Sequence, residues 1–206
     1  MNQRLLVLFA FSLLSFHASA SRKVEILEPS FSGSGCPKGS ADVAISRNAK
    51  RIDIVFDKFF VEADNSMGNV SAKKECDTSI RIKVPHGFSL AIERVKYNGI
   101  NKLPFGSKAH LMGAHFFNHE QVAVVNKRFH GRTISPFDIN SHVPYQRLSW
   151  TPCGEEALVT SRTQLSVVAL RSIQPASVQV DDKLLRPGIS YYLLWRSCSE
   201  QHLSAE

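Results

Sequence analysis

The sequence predicts an all-β domain, an antiparallel β-sandwich of jelly-roll-like or Greek-key type that carries two disulfides. Three observations lead to this fold class: short stretches in which apolar and polar residues alternate, turn residues between those stretches, and four widely spaced cysteines. No segment keeps a 3.6-residue apolar period for long enough to indicate a helix. Regular short strands separated by turns are typical of sandwiches and barrels.

The first twenty residues have the three parts of a secretory signal peptide. Arg4 supplies a positive charge, residues 5–16 are almost wholly apolar, and Ala18-Ser19-Ala20 is a small-residue cleavage pattern. A membrane anchor is the alternative, but this apolar run is shorter than the roughly 20 residues that span a bilayer. We therefore predict cleavage after Ala20, a secreted or periplasmic location, and a single domain over residues 21–206 with no transmembrane segment.

Alternation marks six strands along the mature chain. A strand places neighbouring side chains on opposite faces, so each set of alternate apolar residues indicates a half-buried strand. The apolar phase slips after Ile92 and resumes at Val95 and Tyr97, which predicts a β-bulge near Glu93 and Arg94. In chain order, the apolar sets are Val43 and Ile45; Ile52, Ile54 and Phe56; Ile80 and Ile82; Phe88, Leu90 and Ile92; Leu165, Val167 and Ala169; and Tyr191, Leu193 and Trp195.

Turn residues separate these strands. The pair Asn98-Gly99 predicts a tight hairpin, because both residue types tolerate a positive φ. The other turn signals lie at residues 32–35, 65–69, 85–87, 104–106 and 187–188.

Residues 129–145 contain two prolines and show no clean alternation. Long segments without regular structure are uncommon and are often functional. We expect this one to be either a functional loop or a strap over the sandwich, fixed by Ile134, Phe137 and Ile139.

The four cysteines are Cys36, Cys76, Cys153 and Cys198, and in an exported protein an even number predicts disulfides. A metal site is the alternative, but zinc ligands usually come in close pairs, and these cysteines lie far apart in the sequence. In an antiparallel meander, Cys36 and Cys76 would lie at one end of their strands, and Cys153 and Cys198 would also share an end. The strand order therefore favours the bonds Cys36–Cys76 and Cys153–Cys198.

Each cysteine lies in a short motif, and other motifs lie between them. The motifs are Gly33-Ser34-Gly35-Cys36-Pro37, Phe56-Asp57-Lys58-Phe59, Lys74-Glu75-Cys76, Val84-Pro85-His86-Gly87-Phe88, Tyr97-Asn98-Gly99, Trp150-Thr151-Pro152-Cys153-Gly154 and Trp195-Arg196-Ser197-Cys198. In this order they resemble a family of small secreted four-cysteine proteins, the domain of unknown function number 4360, over residues 33–198. The resemblance implies export and a β-rich fold, and it supplies no activity, cofactor or catalytic residue.

The sharpest candidates for a metal site are His110, His115 and His119, with Glu120 adjacent. Neutral imidazoles and a carboxylate bind zinc or copper, which would support a metal-assisted hydrolase. Against this, His110 would face away from His115 in an unbroken strand, and the order does not match the H-E-x-x-H helix of zinc proteases. The sequence therefore predicts no metal, no cofactor and no catalytic residue, with the hydrolase kept as the alternative function.

Binding is the favoured function. The sequence predicts a non-enzymatic domain that binds a glycan, an anionic cell-surface component or a protein partner. Lys127, Arg128 and Arg132 belong to the densest basic run, which suits an acidic polysaccharide. Tyr145 and Trp150 are rings that can stack on sugars. The other rings that the sequence offers are Tyr97, Tyr192 and Trp195, although aromatic residues in strands usually pack in the core. The net charge of +7 is too dispersed to indicate nucleic acid, and the oligomeric state stays open.

Overall fold

The structure, a computed structural model, describes residues 24–170, 172, 174–181 and 187–201. These residues form twelve strands in two antiparallel sheets that pack face to face, with three short 3-10 helices. The strands are β1 (Glu25–Ser32), β2 (Ala41–Ile45), β3 (Arg51–Phe56), β4 (Phe60–Ala63), β5 (Ser71–Lys83), β6 (Phe88–Leu103), β7 (Lys108–Phe117), β8 (Glu120–His130), β9 (Thr133–His142), β10 (Ala157–Val168), β11 (Ala176–Val180) and β12 (Ile189–Ser197). The predicted all-β sandwich is thereby confirmed. The predicted signal peptide, residues 1–20, and its cleavage site lie outside the described residues.

The two sheets differ in size and in strand order. The five-stranded sheet, here sheet A, has the order β1-β5-β10-β7-β8. The seven-stranded sheet, sheet B, has the order β2-β3-β12-β6-β11-β4, with β9 paired to β6 as well. Neighbours in the chain such as β4 and β5, or β8 and β9, belong to different sheets, so the chain crosses repeatedly between the layers.

The core lies between the sheets and is built from their inward-facing residues. On β7, for example, Ala109, Leu111, Gly113, His115 and Phe117 are buried, whereas the residues between them are partly exposed. Full burial of a large apolar side chain stabilises the fold by about 1.5–3 kcal/mol, so the alternating pattern fixes which face of each strand turns inward.

The predicted bulge in β6 is confirmed. Tyr192 of β12 pairs with Arg94, and the next residue, Leu193, pairs with Ile92, which leaves Glu93 as the extra residue. The bulge allows both Ile92 and Val95 to be buried in the core, although they are three positions apart.

The hairpin predicted at Asn98-Gly99 is wrong, because both residues lie inside β6. The glycine is needed for a different reason. A Cβ at Gly99 would collide with the Gln179 carbonyl oxygen on β11 and with the Phe137 ring on β9. Two neighbouring strands therefore approach β6 closely at a position where only a hydrogen fits.

The irregular segment predicted at residues 129–145 is also wrong, because most of it is β9, which pairs with β6. Pro136 misled the prediction, since a proline has no backbone N–H to donate to a β-ladder. Among the described strands β6 is the one partner of β9, and an edge strand tolerates proline. Phe137 is buried and Ile139 is half-buried against the core, as the strap alternative expected, whereas Ile134 is exposed.

The disulfides join Cys36 to Cys76 and Cys153 to Cys198, which is the predicted pairing. The predicted reason does not hold, because the strands concerned do not form one meander. Cys76 lies within β5 of sheet A, whereas Cys153 precedes β10 of sheet A and Cys198 follows β12 of sheet B. The bonds span sequence separations of 40 and 45 residues, and each is worth roughly 4 kcal/mol in the chain-entropy description.

Candidate functional site

A cavity of about 690 Å³ opens beside the turn between β2 and β3. It exists because β3 begins at Arg51, opposite Tyr192, whereas β12 continues beyond that pair to Ser197. The part of β12 beyond Tyr192 has no β3 residue beside it and forms the floor of the cavity. We call this cavity the Tyr192 cleft; its walls are the turn at residues 46–51, the bulged Glu93, and β12 from Tyr192 to Trp195.

The β2–β3 turn is a fixed wall of the cleft. The Trp195 indole N–H donates to the Ala49 carbonyl oxygen at 2.7 Å, and the Leu193 amide donates to the Lys50 carbonyl oxygen at 2.9 Å. Within the turn, the Lys50 amide donates to Asn48 Oδ1 at 3.1 Å. Because these bonds tie the turn to β12, the wall is ordered before any ligand arrives, which lowers the entropy cost of binding.

Two arginines lie near the Tyr192 ring. The guanidinium carbon of Arg94 lies 3.7 Å from the ring centroid, and that of Arg51 lies 6.0 Å from it, both within the range of cation–π attraction. Arg51 Nε also donates to Asp53 Oδ2 at 2.9 Å. Burial acts to lower the pKa of Arg51, but the hydrogen bond and the charge of Asp53 outweigh it and raise the pKa, so this guanidinium stays charged.

The Tyr192 cleft carries an excess of positive charge. Arg47 and Lys50 are exposed on the turn and form no ion pair within the described part of the chain. The buried Nε of Arg94 has no hydrogen-bond partner among the described residues. Arg94 is not one of the residues that line the cleft; its guanidinium packs on the Tyr192 ring and supports the ring from outside the cavity. Glu93 is the one carboxylate among the described lining residues. The arrangement can therefore bind a carboxylate or phosphate through charge-assisted hydrogen bonds.

The predicted basic run does not form one surface. Lys127 and Arg128 are neighbours on β8, so their side chains point to opposite faces of sheet A. Arg128 pairs opposite His110 on the outer face of the sheet. Arg132 follows β8, and its guanidinium carbon lies 4.7 Å from the centroid of the Phe105 ring. Three cations that are close in sequence are thus separated by strand geometry.

The predicted rings Tyr145 and Trp150 lie outside the Tyr192 cleft. Both belong to the connection between β9 and β10. Tyr145 is 79% exposed in a short 3-10 helix, whereas Trp150 is half-buried with the Arg196 guanidinium 4.2 Å from its ring centroid.

The sequence offered Tyr192 and Trp195 as rings for stacking, but it missed the cations of the cleft. A local signal was present, because residues 47–51 hold three cations between two predicted strands. No such signal pointed to Arg94, which meets Tyr192 only through the register of β6 and β12.

The three histidines His110, His115 and His119 do not come together. His115 is buried in the core, with Nε2 at 2.9 Å from the Tyr97 hydroxyl and Nδ1 at 3.0 Å from the Tyr191 hydroxyl. Burial lowers the pKa of His115 from 6.5 to about 3, so the imidazole is neutral at physiological pH. His110 faces out from β7, and His119 lies in the turn after it. The described residues contain no group of three His, Cys, Asp or Glu that could hold a metal ion.

Sequence comparison gives a family and a relative. A family model described as "Domain of unknown function (DUF4360)" matches residues 22–198. An "Uncharacterized secreted protein" of Arthroderma benhamiae is 20% identical over 148 residues, which cover 71% of this chain and 60% of the fungal protein. The chain is secreted, in agreement with that relative. Within its described residues, none of the helices has the length and apolarity that a membrane crossing requires.

Solved structures with some likeness include two carbohydrate-binding modules. TmCBM61 in complex with β-1,4-galactotriose is 13% identical, with 82% of this chain and 88% of that chain covered and a TM-score of 0.25. The family 11 module from Clostridium thermocellum, in complex with a mixed-linked tetrasaccharide, is 8% identical, with 87% and 93% covered and a TM-score of 0.23. Alignments with TM-scores this low do not establish a shared fold.

Proposed function

We propose that this chain, which belongs to the DUF4360 family, is a secreted binding protein whose Tyr192 cleft holds an acidic glycan. The mature chain, residues 21–206, acts as one domain in this proposal, since the described strands of both sheets share one core. Acidic sugars combine a carboxylate with a ring that has apolar C–H faces, and the cleft offers a counterpart to each. A neutral glycan or a protein partner is the competing ligand class.

The observation that carries the proposal is the coincidence of unpaired cations with aromatic rings in one ordered cavity. Arg47 and Lys50 line the cavity from the turn and form no ion pair within the described part of the chain. Tyr192 and Trp195 line the same cavity. Hydrogen bonds to charged groups contribute about 1.5–3 kcal/mol each, so two of them raise the affinity by roughly 10²- to 10⁴-fold over a site that lacks them.

A fluorescence titration tests the proposal, because Trp195 reports on the cleft. The protein has two tryptophans, so the substitution Trp150→Phe leaves Trp195 as the one indole. Acidic oligogalacturonates should change its emission and neutral galacto-oligosaccharides should not. Binding should weaken between low and moderate salt, since exposed charges are screened over roughly 8–10 Å at physiological ionic strength.

Variants locate the binding. The double substitution of Arg47 and Lys50 by Ala should weaken acidic binding about tenfold or more, because it removes two charge-assisted hydrogen bonds. Lys38→Ala with Arg147→Ala is the matched control, since it removes one lysine and one arginine from exposed positions elsewhere. Equal affinity of the cleft variant and the parent would refute the proposal.

The triple substitution of Lys127, Arg128 and Arg132 by Ala tests the basic run as the competing surface. If the triple variant alone loses the acidic ligand, the basic run and not the Tyr192 cleft is the site. If the cleft variant alone loses it, the proposal stands.

A further inference from the structure

The outer face of sheet A carries a second concave surface, which is separate from the Tyr192 cleft. Side chains that alternate with the core residues of β7, β8 and β10 point away from sheet B. Two shallow depressions of about 260 and 240 Å³ lie there, the first beside His110 and Ser166 and the second beside Met112 and Gln164. Neither depression shares a residue with the cleft.

The register of the three strands places the two depressions next to each other along β7. Ser166 pairs with His110 and Gln164 with Met112, which are successive outward positions on β7. We call the combined groove, along β7 from Lys108 to Ala114, the outer trough. At about 3.4 Å per residue it is roughly 20 Å long, so it fits an extended polymer better than a compact molecule.

The floor of the outer trough is apolar and its sides are polar. Met112 and Ala114 lie along the floor, and Val124, which is 59% exposed, borders it. Asn126 on β8 and Gln164 on β10 flank the floor with side-chain amides that both donate and accept. This alternation of aliphatic and amide surface matches a sugar strand, which presents C–H faces and hydroxyls in turn.

Two polar groups of the outer trough are held in place before binding. Arg162 donates from Nε to Asp77 Oδ1 at 2.7 Å and from Nη2 to Asp77 Oδ2 at 2.9 Å. His110 Nε2 lies 2.6 Å from Asn126 Oδ1. Side chains that are already ordered lose less entropy when a ligand binds.

Opposite charges cancel over most of this face. Arg162 is paired with Asp77, and Lys73 with Glu75 at 2.5 Å. Lys108 and Arg128 lie in the depression at the far end. Around Met112 and Gln164 the outer trough therefore lacks the excess charge that the cleft has, and an uncharged ligand meets no desolvation cost from unpaired ions there.

We propose that the outer trough is a second binding site, which holds an extended neutral polysaccharide strand along β7. The sugar hydroxyls meet Asn126, Gln164 and the free edge of the Arg162 guanidinium. The C–H faces of the sugar rings lie over Met112 and Ala114. The site acts independently of the cleft, so it stands or falls on its own test.

Backbone and side-chain amide NMR of the ¹⁵N-labelled protein tests the proposal, with neutral hexasaccharides of glucose, xylose and mannose as probes. At least one probe should shift the signals of outward residues of β7, β8 and β10, including the side-chain amides of Asn126 and Gln164. Replacing both by Ala should weaken binding about tenfold, since two neutral hydrogen bonds contribute roughly that factor together. Asn140→Ala with Gln146→Ala is the matched control, because it removes the same two residue types from exposed positions elsewhere.

Three results would overturn the outer-trough site. The first is the absence of shifts on this face with every neutral probe. The second is equal affinity of the parent and the Asn126–Gln164 variant. The third is a trough that responds to an acidic hexagalacturonate and to none of the neutral probes. Failure of the cleft titration leaves these outcomes unchanged, because the probes and the reporting residues are different.

Discussion

Replacing His115 by Gln should make the stability of the protein less sensitive to acid. The imidazole bridges the two sheets, with Tyr97 of β6 on one ring nitrogen and Tyr191 of β12 on the other. Burial lowers its pKa to about 3, against 6.5 for an exposed imidazole. Below pH 6.5 His115 is protonated in the unfolded chain but stays neutral in the folded protein. The contribution of His115 to stability is therefore present above pH 6.5 and is lost as the pH falls toward 3.

The size of the effect follows from the two pKa values. Each pH unit between them costs about 1.4 kcal/mol in the free energy of unfolding. Between pH 7 and pH 5 the parent should therefore lose about 2 kcal/mol through this residue. A glutamine carries no titrating proton and lacks this loss. At pH 7 the substitution itself should cost about 1–2 kcal/mol in weakened hydrogen bonds, and Tyr97 keeps its bond to Thr163 at 2.7 Å.

Urea denaturation at pH 7, 6 and 5, with both disulfides intact, measures the effect. The difference in unfolding free energy between the parent and His115→Gln should shrink, and then reverse or close, as the pH falls. His142→Gln serves as the control, because His142 is an exposed histidine on β9 and its loss should leave the pH dependence of the parent in place. Parallel pH profiles for the parent and His115→Gln would refute the role assigned to the buried imidazole.

Three further predictions concern stability and maturation. Gly99→Ala should destabilise the protein by about 1–3 kcal/mol in thermal denaturation, because the new Cβ collides with Gln179 and Phe137, and an unchanged melting temperature would contradict this. Replacing Cys153 and Cys198 together by Ser should lower the free energy of unfolding by about 2–5 kcal/mol in urea, and non-reducing peptide mapping should recover the Cys36–Cys76 peptide intact. The mass of the exported protein should correspond to residues 21–206 with both disulfides formed, and an uncleaved product would contradict the predicted cleavage after Ala20.

Local alternation carried much of the fold prediction. Ile80 and Ile82, or Leu165 and Val167, announce a half-buried strand whatever surrounds them, because the period of a strand is two residues. The apolar alternation shifts by one residue at Glu93, and this shift predicted the bulge for the same reason. The prediction failed at Gly99 and Pro136, because glycine and proline were taken as signals of a turn or an irregular segment. Both residues mark a crowded or an edge position in a sheet, and a sequence does not show which strands are neighbours.

Part of the candidate site was visible in the sequence, and part of it was not. The rings Tyr192 and Trp195 were visible in the sequence, and so was the basic turn at residues 47–51. The contact between Tyr192 and Arg94 was not visible, because it depends on the register of β12 with β6. In the same way, the cleft depends on β12 lying between β3 and β6 and extending past the end of β3. Lys127 and Arg128 show the opposite case. They are neighbours in sequence, but their side chains point to opposite faces of β8.

By itself the sequence determined export, the all-β class and the inward face of most strands. Each of these depends on composition or on a period of two residues, which are properties of short stretches of chain. The tertiary structure alone decided which strands adjoin, that His115 is a core residue between two tyrosines, and that the Tyr192 cleft and the outer trough exist. These depend on contacts between residues far apart in the chain, whose pairing is selected by burial of the whole core and not by any local pattern.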